Sequence, residues 1–363
     1  MSHITHIVKQ LSDGYPLQAQ QVLLQLEQFR IVLRSNSKEL LDRLAYYFAH
    51  VTTDSEPETF DIEVIALEQN IPELDLQFID WKREPGKTGR KDAYIDLEDG
   101  RVIKKVRTGM IFFQSSDVLL AAGPCLDNDN QVINYINAQY MNYLQHQGAL
   151  ICHASALAKN DKCYAIAAAS GGGKSSLMLN ILEEPGLRYV TNDRLLLEHE
   201  ENEIIGFGIP KLPRVNPGTI LNNQRLHSIL SDERKQELDA LPKENLWDLE
   251  EKYDVLLQDL YGSGKIKSKA LLKAVLILNW QRDSHEACSI ERVNFSERKD
   301  LLTAIMKSPG PFYQYADNTF YNDETVLDEE KYFQLLNKVV IYEASGQIDF
   351  SYASRYFMNE IIQ

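Results

Sequence analysis

The sequence predicts an α/β protein, with a small α+β domain over residues 1–125 followed by a larger α/β domain over residues 126–363. Three observations predict this arrangement. Short alternating strands with a hairpin signal occupy the N-terminal part. Near residue 170 an apolar strand, a glycine-rich loop and an apolar helix follow one another. The uninterrupted apolar run at residues 274–278 is typical of a central strand.

The composition is that of a globular protein and excludes several classes. The 363 residues are 44% hydrophobic and 25% charged, with a formal net charge of −15. An acidic chain opposes nucleic-acid binding, which requires a positive surface. No apolar stretch is long enough for a bilayer, and the N-terminus lacks a signal pattern. The four cysteines form no CxxC pair, which argues against a zinc site and a disulfide framework. We therefore expect a cytoplasmic protein that binds neither nucleic acid nor membrane.

The N-terminal domain is predicted from alternation and turn signals. Its strands are expected at residues 29–34, 61–66, 94–97, 102–106, 110–113 and 118–121. Asp99-Gly100, between two of these strands, is a hairpin signal. Asn36 and Glu39 form a capping-box pattern, which predicts a helix from there to about His50.

The second domain is predicted to begin with a helix from Asn128 to His146. Strands are expected at residues 148–157, 162–168, 188–191, 195–198, 203–207, 274–278 and 339–342. Further helices are expected after the glycine-rich loop, in the polar stretch 231–261, at residues 296–306 and 329–336, and from residue 352.

The glycine-rich loop carries the clearest chemistry. It fits the P-loop pattern, with Ala168 replacing the usual first glycine. Glycines allow successive backbone N–H groups to turn towards a phosphate, and the following helix adds its positive N-terminus. Lys174 would reach the β- and γ-phosphates, and Ser175 would offer its hydroxyl to Mg²⁺. We expect the nucleotide to be bound by Ser170, Gly171, Gly172, Gly173, Lys174, Ser175 and Ser176.

Two further residues are candidates for the same site. Asp193 follows the strand at residues 188–191, and ligands of open α/β sheets bind beyond the carboxyl ends of strands. Its carboxylate could hold Mg²⁺ or accept a proton from a hydroxyl, although a turn aspartate that caps the backbone is the alternative. His153 lies in the apolar strand before the P-loop strand, a context more typical of a core histidine than of a catalyst.

Together these residues resemble the HPr kinase/phosphorylase family over about residues 150–195. The shared order is His153-Ala154, a hairpin, the glycine-rich loop with its helix, and a strand that ends in Asn192-Asp193. The resemblance implies a phosphoenolpyruvate-carboxykinase-like α/β domain, ATP and Mg²⁺ as co-substrates, and phosphoryl transfer to a hydroxyl, typically a protein serine. It also implies active-site roles for His153, Lys174, Ser175 and Asp193, and self-association as a homo-oligomer.

This sequence departs from the family at Asn192, which stands where the family has its first aspartate. An amide cannot accept a proton as a base. Asp193 would then serve both roles, or His153 and water would handle the proton, or catalysis would be impaired. The family's reverse reaction, phosphorolysis, is in doubt for the same reason.

Other cations remain candidates for binding phosphate or substrate. Lys211 and Arg214 lie in a proline-stiffened loop, and solvated surface charge is the equal alternative. Arg282 follows the predicted central strand. The basic stretch 262–269 favours an exposed linker over a mobile lid.

The leading functional hypothesis is a kinase that acts on a serine of a protein or peptide. The first alternative is a kinase for a small-molecule hydroxyl on a cyclitol, sugar or amino acid. The second is a nucleotide-dependent regulatory protein with little turnover.

Overall fold

Two compact units make up the chain. The computed structural model describes residues 3–53, 59–83, 89–242, 245–246, 249 and 251–362. The first unit comprises Met1–His146 with Ser308–Val326, and the second comprises Gln147–Lys307 with Leu327–Gln363. The sequence placed its boundary between residues 125 and 126. The long helix before residue 147 and the segment from residue 308 instead belong with the first unit.

The first unit is a mixed sheet with helices. Its elements are α1 (His3–Ser12), β1 (Gln21–Leu26), β2 (Phe29–Ser35), α2 (Lys38–Tyr47), β3 (Ile62–Glu68), β4 (Ile79–Asp80), β5 (Asp92–Leu97), β6 (Gly100–Lys105), β7 (Ile111–Gln114), β8 (Leu119–Gly123) and α3 (Asp129–His146). Within the described residues its sheet has eight strands in the order β1-β2-β3-β8-β7-β6-β5-β4. The predicted hairpin is present, but its turn is Glu98-Asp99 rather than Asp99-Gly100, because Gly100 already pairs with Leu97 as the first residue of β6.

Helix α2 begins one residue later than predicted. Ser37 is its N-cap and accepts a hydrogen bond from the backbone N–H of Leu40. The side chain of Asn36 is occupied elsewhere, since it exchanges two hydrogen bonds of 2.8 Å with the backbone of Glu68 in β3. The helix ends at Tyr47, short of the predicted His50.

Arg101 explains why the segment from residue 308 belongs with the first unit. Its side chain is 1% exposed and forms a bidentate ion pair with Asp96. The same guanidinium donates to the carbonyl of Pro311 at 3.1 Å and of Tyr321 at 2.9 Å. A buried guanidinium is costly unless its donors are used, so these carbonyls are held firmly.

The second unit carries the glycine-rich loop. Its strands are β9 (Leu150–Cys152), β10 (Ala154–Lys159), β11 (Lys162–Ala168), β12 (Leu187–Thr191), β13 (Leu195–Glu200), β14 (Glu203–Gly208), β15 (Arg214–Val215), β16 (Tyr253–Asp254), β17 (Lys269–Leu278), β18 (Ser289–Arg292) and β19 (Val340–Ser345). Its α-helices are α4 (Lys174–Leu182), α5 (Pro217–Leu221), α6 (Asp232–Asp239), α7 (Leu257–Tyr261), α8 (Glu329–Leu336) and α9 (Phe350–Tyr356). The main sheet runs β12-β10-β11-β17-β14-β13-β9, and β19 adds to β17.

The predicted central strand is confirmed. Strand β17 lies parallel to β11 on one side and parallel to β19 on the other. Its last residues, from Val275 to Leu278, are at most 4% exposed. Burial on both faces explains the uninterrupted apolar run in the sequence.

Two predicted helices differ in the structure. The polar stretch 231–261 forms α6, then β16 and then α7, while residues 243–244, 247–248 and 250 lie outside the described residues. Residues 296–306 form two short 3₁₀ helices, Phe295–Glu297 and Lys299–Ala304, rather than one α-helix. The side chain of Asn294 caps the first of them, and this local bond favours a tight turn.

Candidate functional site

Three strand ends meet at one edge of the second unit's sheet. Strand β12 runs antiparallel to β10, so its last residue, Thr191, pairs with Ala156 near the start of β10. Strand β11 also ends where β10 begins. The sheet therefore brings His153, the glycine-rich loop and Asp193 to the same edge, although they are far apart in sequence.

His153 lies in a break between two strands. The sequence predicted one continuous strand here, but β9 pairs with β13, whereas β10 pairs with β11 and β12. The backbone N–H of His153 leaves the sheet and donates to the carbonyl of Ile305 at 2.6 Å. The break turns the histidine towards Asp193, whose Oδ1 lies 3.3 Å from Nε2.

The strand, loop and helix at the glycine-rich segment are present as predicted, in β11 and α4. Gly171 and Gly173 have φ of 77° and 90°, a region that favours glycine. The indole of Trp280 donates to the carbonyl of Gly172 at 3.0 Å. This bond helps to fix a loop whose backbone leads directly into the N-terminus of α4, where an anion is favoured.

Lys174 begins α4 and is held against the loop. It is 7% exposed, and its Nζ donates to the carbonyl of Ala168 at 3.1 Å. Ser175 follows it in the first turn of the helix. The hydroxyl of Ser176 lies 2.7 Å from that of Thr219 in α5, so it already has a protein partner.

The carboxylate of Asp193 is flanked by positive charge. Its Oδ2 lies 3.8 Å from Nζ of Lys307 and 3.8 Å from Nε of Arg194, on the side away from the His153 contact. The Asp193 side chain is 42% exposed, and its partial desolvation by the surrounding protein would raise its pKa. The hydrogen bond from His153 and these two cations outweigh that effect, so the pKa lies well below its usual range. The carboxylate is therefore a weak base and a firmly ionised group.

His153 is held in the neutral form near pH 7. Burial lowers its pKa, and the hydrogen bond to Asp193 opposes this effect only in part. The nearby positive charges of Lys174 and Lys307 lower the pKa further. A neutral imidazole oriented by a carboxylate can accept a proton.

Asn192 has a structural partner. The hydroxyl of Ser155 in β10 donates to the backbone carbonyl of Asn192 and lies 3.3 Å from its side-chain oxygen. This contact ties the end of β12 to β10, beside Asp193.

The other predicted cations differ in their surroundings. Burial and the positive charge of Arg194 lower the pKa of Lys211 to about 7, with Asp193 acting in the opposite direction. Arg214 forms an ion pair with Asp254 at 3.1 Å. Arg282 approaches the loop, since its Nη2 would lie 4.0 Å from a Cβ on Gly171.

The basic stretch 262–269 is fastened to the unit rather than free. Lys265 donates to the carbonyls of Leu182 and Leu187, both at 3.3 Å. Lys267 pairs with Asp161 at 2.7 Å. These contacts favour the interpretation of this stretch as a linker rather than as a mobile lid.

Sequence reasoning missed several residues beside Asp193 and the loop. Lys307, Arg194, Trp280 and Phe350 have no motif of their own, and all but Arg194 lie far from the loop in sequence. Phe350 packs edge-on against Trp280, with ring centroids 5.2 Å apart. Of these residues, Arg194 alone could have been found from the sequence, because it directly follows the candidate Asp193.

Comparisons with known proteins give limited similarity. No protein-family model matches the chain, and no curated protein matches it. Among solved structures, the Hpr(Ser) kinase/phosphatase from Coxiella burnetii is 10% identical, with coverage of 58% of this chain and 90% of that chain and a TM-score of 0.30. The chain itself has a mixed α/β architecture with large sheets among the described residues. Within the part of the chain that the structure describes, every helix is too short or too polar to cross a membrane.

Proposed function

We propose that this protein is an ATP- and Mg²⁺-dependent kinase that transfers the γ-phosphate to a hydroxyl, a serine of a protein or peptide. The observation that carries the proposal is the meeting of the glycine-rich loop, Lys174 and the His153–Asp193 pair at one sheet edge. The choice of a protein serine as acceptor follows the family resemblance.

The residues divide the work as follows. The backbone N–H groups of the loop and the ammonium of Lys174 bind the phosphates. Ser175 and Asp193 are the oxygen ligands that would hold Mg²⁺, which neutralises charge on the phosphates. His153, which Asp193 orients, accepts the proton of the acceptor hydroxyl. This assignment favours His153 over Asp193 as the base, because two cations weaken the basicity of the carboxylate.

The loop conformation gives a first prediction. A Cβ on Gly173 would lie 2.8 Å from the Phe350 ring, at a φ that strains any other residue. Gly173→Ala should therefore weaken ATP binding by about tenfold or more, the fold-change that about 1.4 kcal/mol produces. Gly186 is a matched control, with a φ of 79° and nothing within 4 Å of its Cβ position. Gly186→Ala should bind labelled ATP like the wild type, and equal losses in both variants would contradict the assigned role of the loop.

Lys211 gives a prediction of pH dependence. We infer that its ammonium stabilises charge on the transferred phosphoryl group. With a pKa of about 7 the cation is present below that pH and is lost as the pH rises through it. We therefore expect kcat/KM to fall above about pH 7 in the wild type, whereas Lys211→Arg should keep its activity to higher pH, because arginine stays charged. If kcat/KM falls at the same alkaline pH in the wild type and in Lys211→Arg, Lys211 does not stabilise the transferred phosphoryl group.

A nucleotide-dependent regulatory protein with little turnover is the second candidate. The observation that favours it is the placement of Lys307 and Arg194 beside Oδ2 of Asp193, since both cations compete with Mg²⁺ for that oxygen. Such a protein would bind ATP and hydrolyse or transfer almost none of it.

Transfer of labelled γ-phosphate from ATP separates these functions. Cell extract is first divided into a protein fraction and a small-molecule fraction. The purified protein is then mixed with ATP·Mg²⁺ and each fraction separately. Label in the protein fraction supports the proposal, and label in the small-molecule fraction supports a small-molecule kinase. ATP binding without transfer or ADP release identifies the regulatory protein.

A further inference from the structure

A polar groove lies beside α4, and neither Asp193 nor His153 lines it. Its volume is about 700 Å³. Its walls come from the end of α4, the turn after α5 and the start of α9, through Asn180, Glu183, Asn222–Arg225, Phe350, Ser351 and Ser354. Side-chain carboxamides are frequent in this lining, and each of them offers both a donor and an acceptor.

One buried polar atom at this groove, Oγ of Ser354, lacks a hydrogen-bond partner among the described residues. The side chains of Asn223 and Glu183 face the hydroxyl of Tyr261 and interact with it. Asn223 is 7% exposed, and its Oδ1 is already used by the backbone N–H of Arg225. Buried polar groups are normally satisfied, so the hydroxyl of Ser354 is a group at the groove wall that a ligand could satisfy.

The groove lies next to the glycine-rich loop, with Phe350 between them. This ring lines the groove and also lies against Gly173. Asn180 is six residues after Lys174, a distance of roughly 9 Å along the helix axis. A ligand with its phosphates in the loop can therefore extend its other end into the groove.

The chemistry of the groove favours the donor nucleotide over the acceptor. The acceptor hydroxyl must lie beside the transferred phosphoryl group and its base, and the residues assigned to that task lie outside the groove. Carboxamides pair with the edges of nucleobases, and an aromatic ring such as Phe350 offers a stacking surface.

We propose that this groove binds the nucleoside end, the base and ribose, of the nucleotide whose phosphates occupy the loop. This inference rests on the proposed function, because it requires the loop to bind a nucleotide. The groove would be the part of the site that binds a nucleotide more tightly than a polyphosphate without a nucleoside.

The test compares ATP with inorganic tripolyphosphate, which has the phosphates but no nucleoside. Asn180→Leu removes a carboxamide from the groove and keeps a good helix former in α4. Ser354→Ala removes a buried hydroxyl that has no partner, so it should raise the melting temperature while it weakens ATP binding. Gln334→Leu, on the exposed face of α8, is the control.

We expect the wild type to bind ATP more tightly than tripolyphosphate when both are measured by equilibrium binding with Mg²⁺. Each groove variant should weaken ATP binding by about tenfold, the loss of roughly one buried hydrogen bond, and leave tripolyphosphate binding unchanged. Gln334→Leu should match the wild type with both probes.

Three results would overturn the inference and leave the proposed function standing. They are equal affinity of the wild type for both probes, groove variants that bind ATP like the wild type, and groove variants that weaken both probes equally. Failure of the wild type to bind either probe would overturn the proposed function and this inference together.

Discussion

Lys174→Met should reduce phosphoryl transfer by about 10²–10³-fold, the range found when one preorganised charge or donor is removed from an active site. The methionine keeps an unbranched apolar stem in the same space and removes the ammonium that is held at the loop. The variant should fold normally. The Lys174 side chain is only 7% exposed, and a buried charge destabilises the folded state, so its removal should not lower stability. The measurement is kcat for transfer of labelled phosphate, together with the melting temperature.

Lys265 provides the matched control for this variant. It also donates to backbone carbonyls, but at the other end of α4, where it contacts Leu182 and Leu187. Lys265→Met should therefore keep its transfer rate within a few-fold of the wild type. If Lys174→Met transfers phosphate as fast as this control, Lys174 does not bind the phosphates.

Asp193→Asn is expected to have an effect of similar size, a loss of about 10²–10³-fold in kcat. The amide cannot hold Mg²⁺ as an anion and cannot stabilise the imidazolium that forms when His153 accepts a proton. Its side chain is 42% exposed, so solvent screens the three neighbouring groups and the loss of stability should be small. The Mg²⁺ concentration needed for half-maximal activity should also rise, which a purely structural role would not cause.

Asp61 is a close match for the control. Its carboxylate lies 3.7 Å from Nε of Arg30 and is 40% exposed, so it resembles Asp193 in exposure and in its arginine partner. Asp61 belongs to the first unit and has no assigned role in transfer. Asp61→Asn should leave both kcat and the Mg²⁺ dependence unchanged. Equal effects of the two substitutions would remove the metal and orienting roles from Asp193.

The part of the fold that local patterns specify could be predicted from the sequence. Strand β17 is an uninterrupted apolar run because both of its faces are buried, and the helix at Glu329–Leu336 has clear amphipathic spacing. The strand, loop and helix at residues 162–182 follow from glycine chemistry and an apolar flank on each side. In these segments local preference and tertiary environment agree.

The remaining features depend on contacts between distant residues. The break at His153 is set by a hydrogen bond to Ile305, and the helix start at Ser37 is set by the bonds between Asn36 and Glu68. Neither partner can be identified from the local sequence. The same reason explains why Lys307 and Phe350 were missed, since only the folded chain brings them to Asp193 and Gly173.

The most direct measurement for the central claim is equilibrium dialysis of labelled ATP with Mg²⁺ against the wild type and Lys174→Met. We expect saturable binding near one ATP per chain in the wild type, and binding at least tenfold weaker in the variant. A wild type that retains no ATP, or a variant that binds it equally well, would contradict the assignment of this loop as a phosphate site.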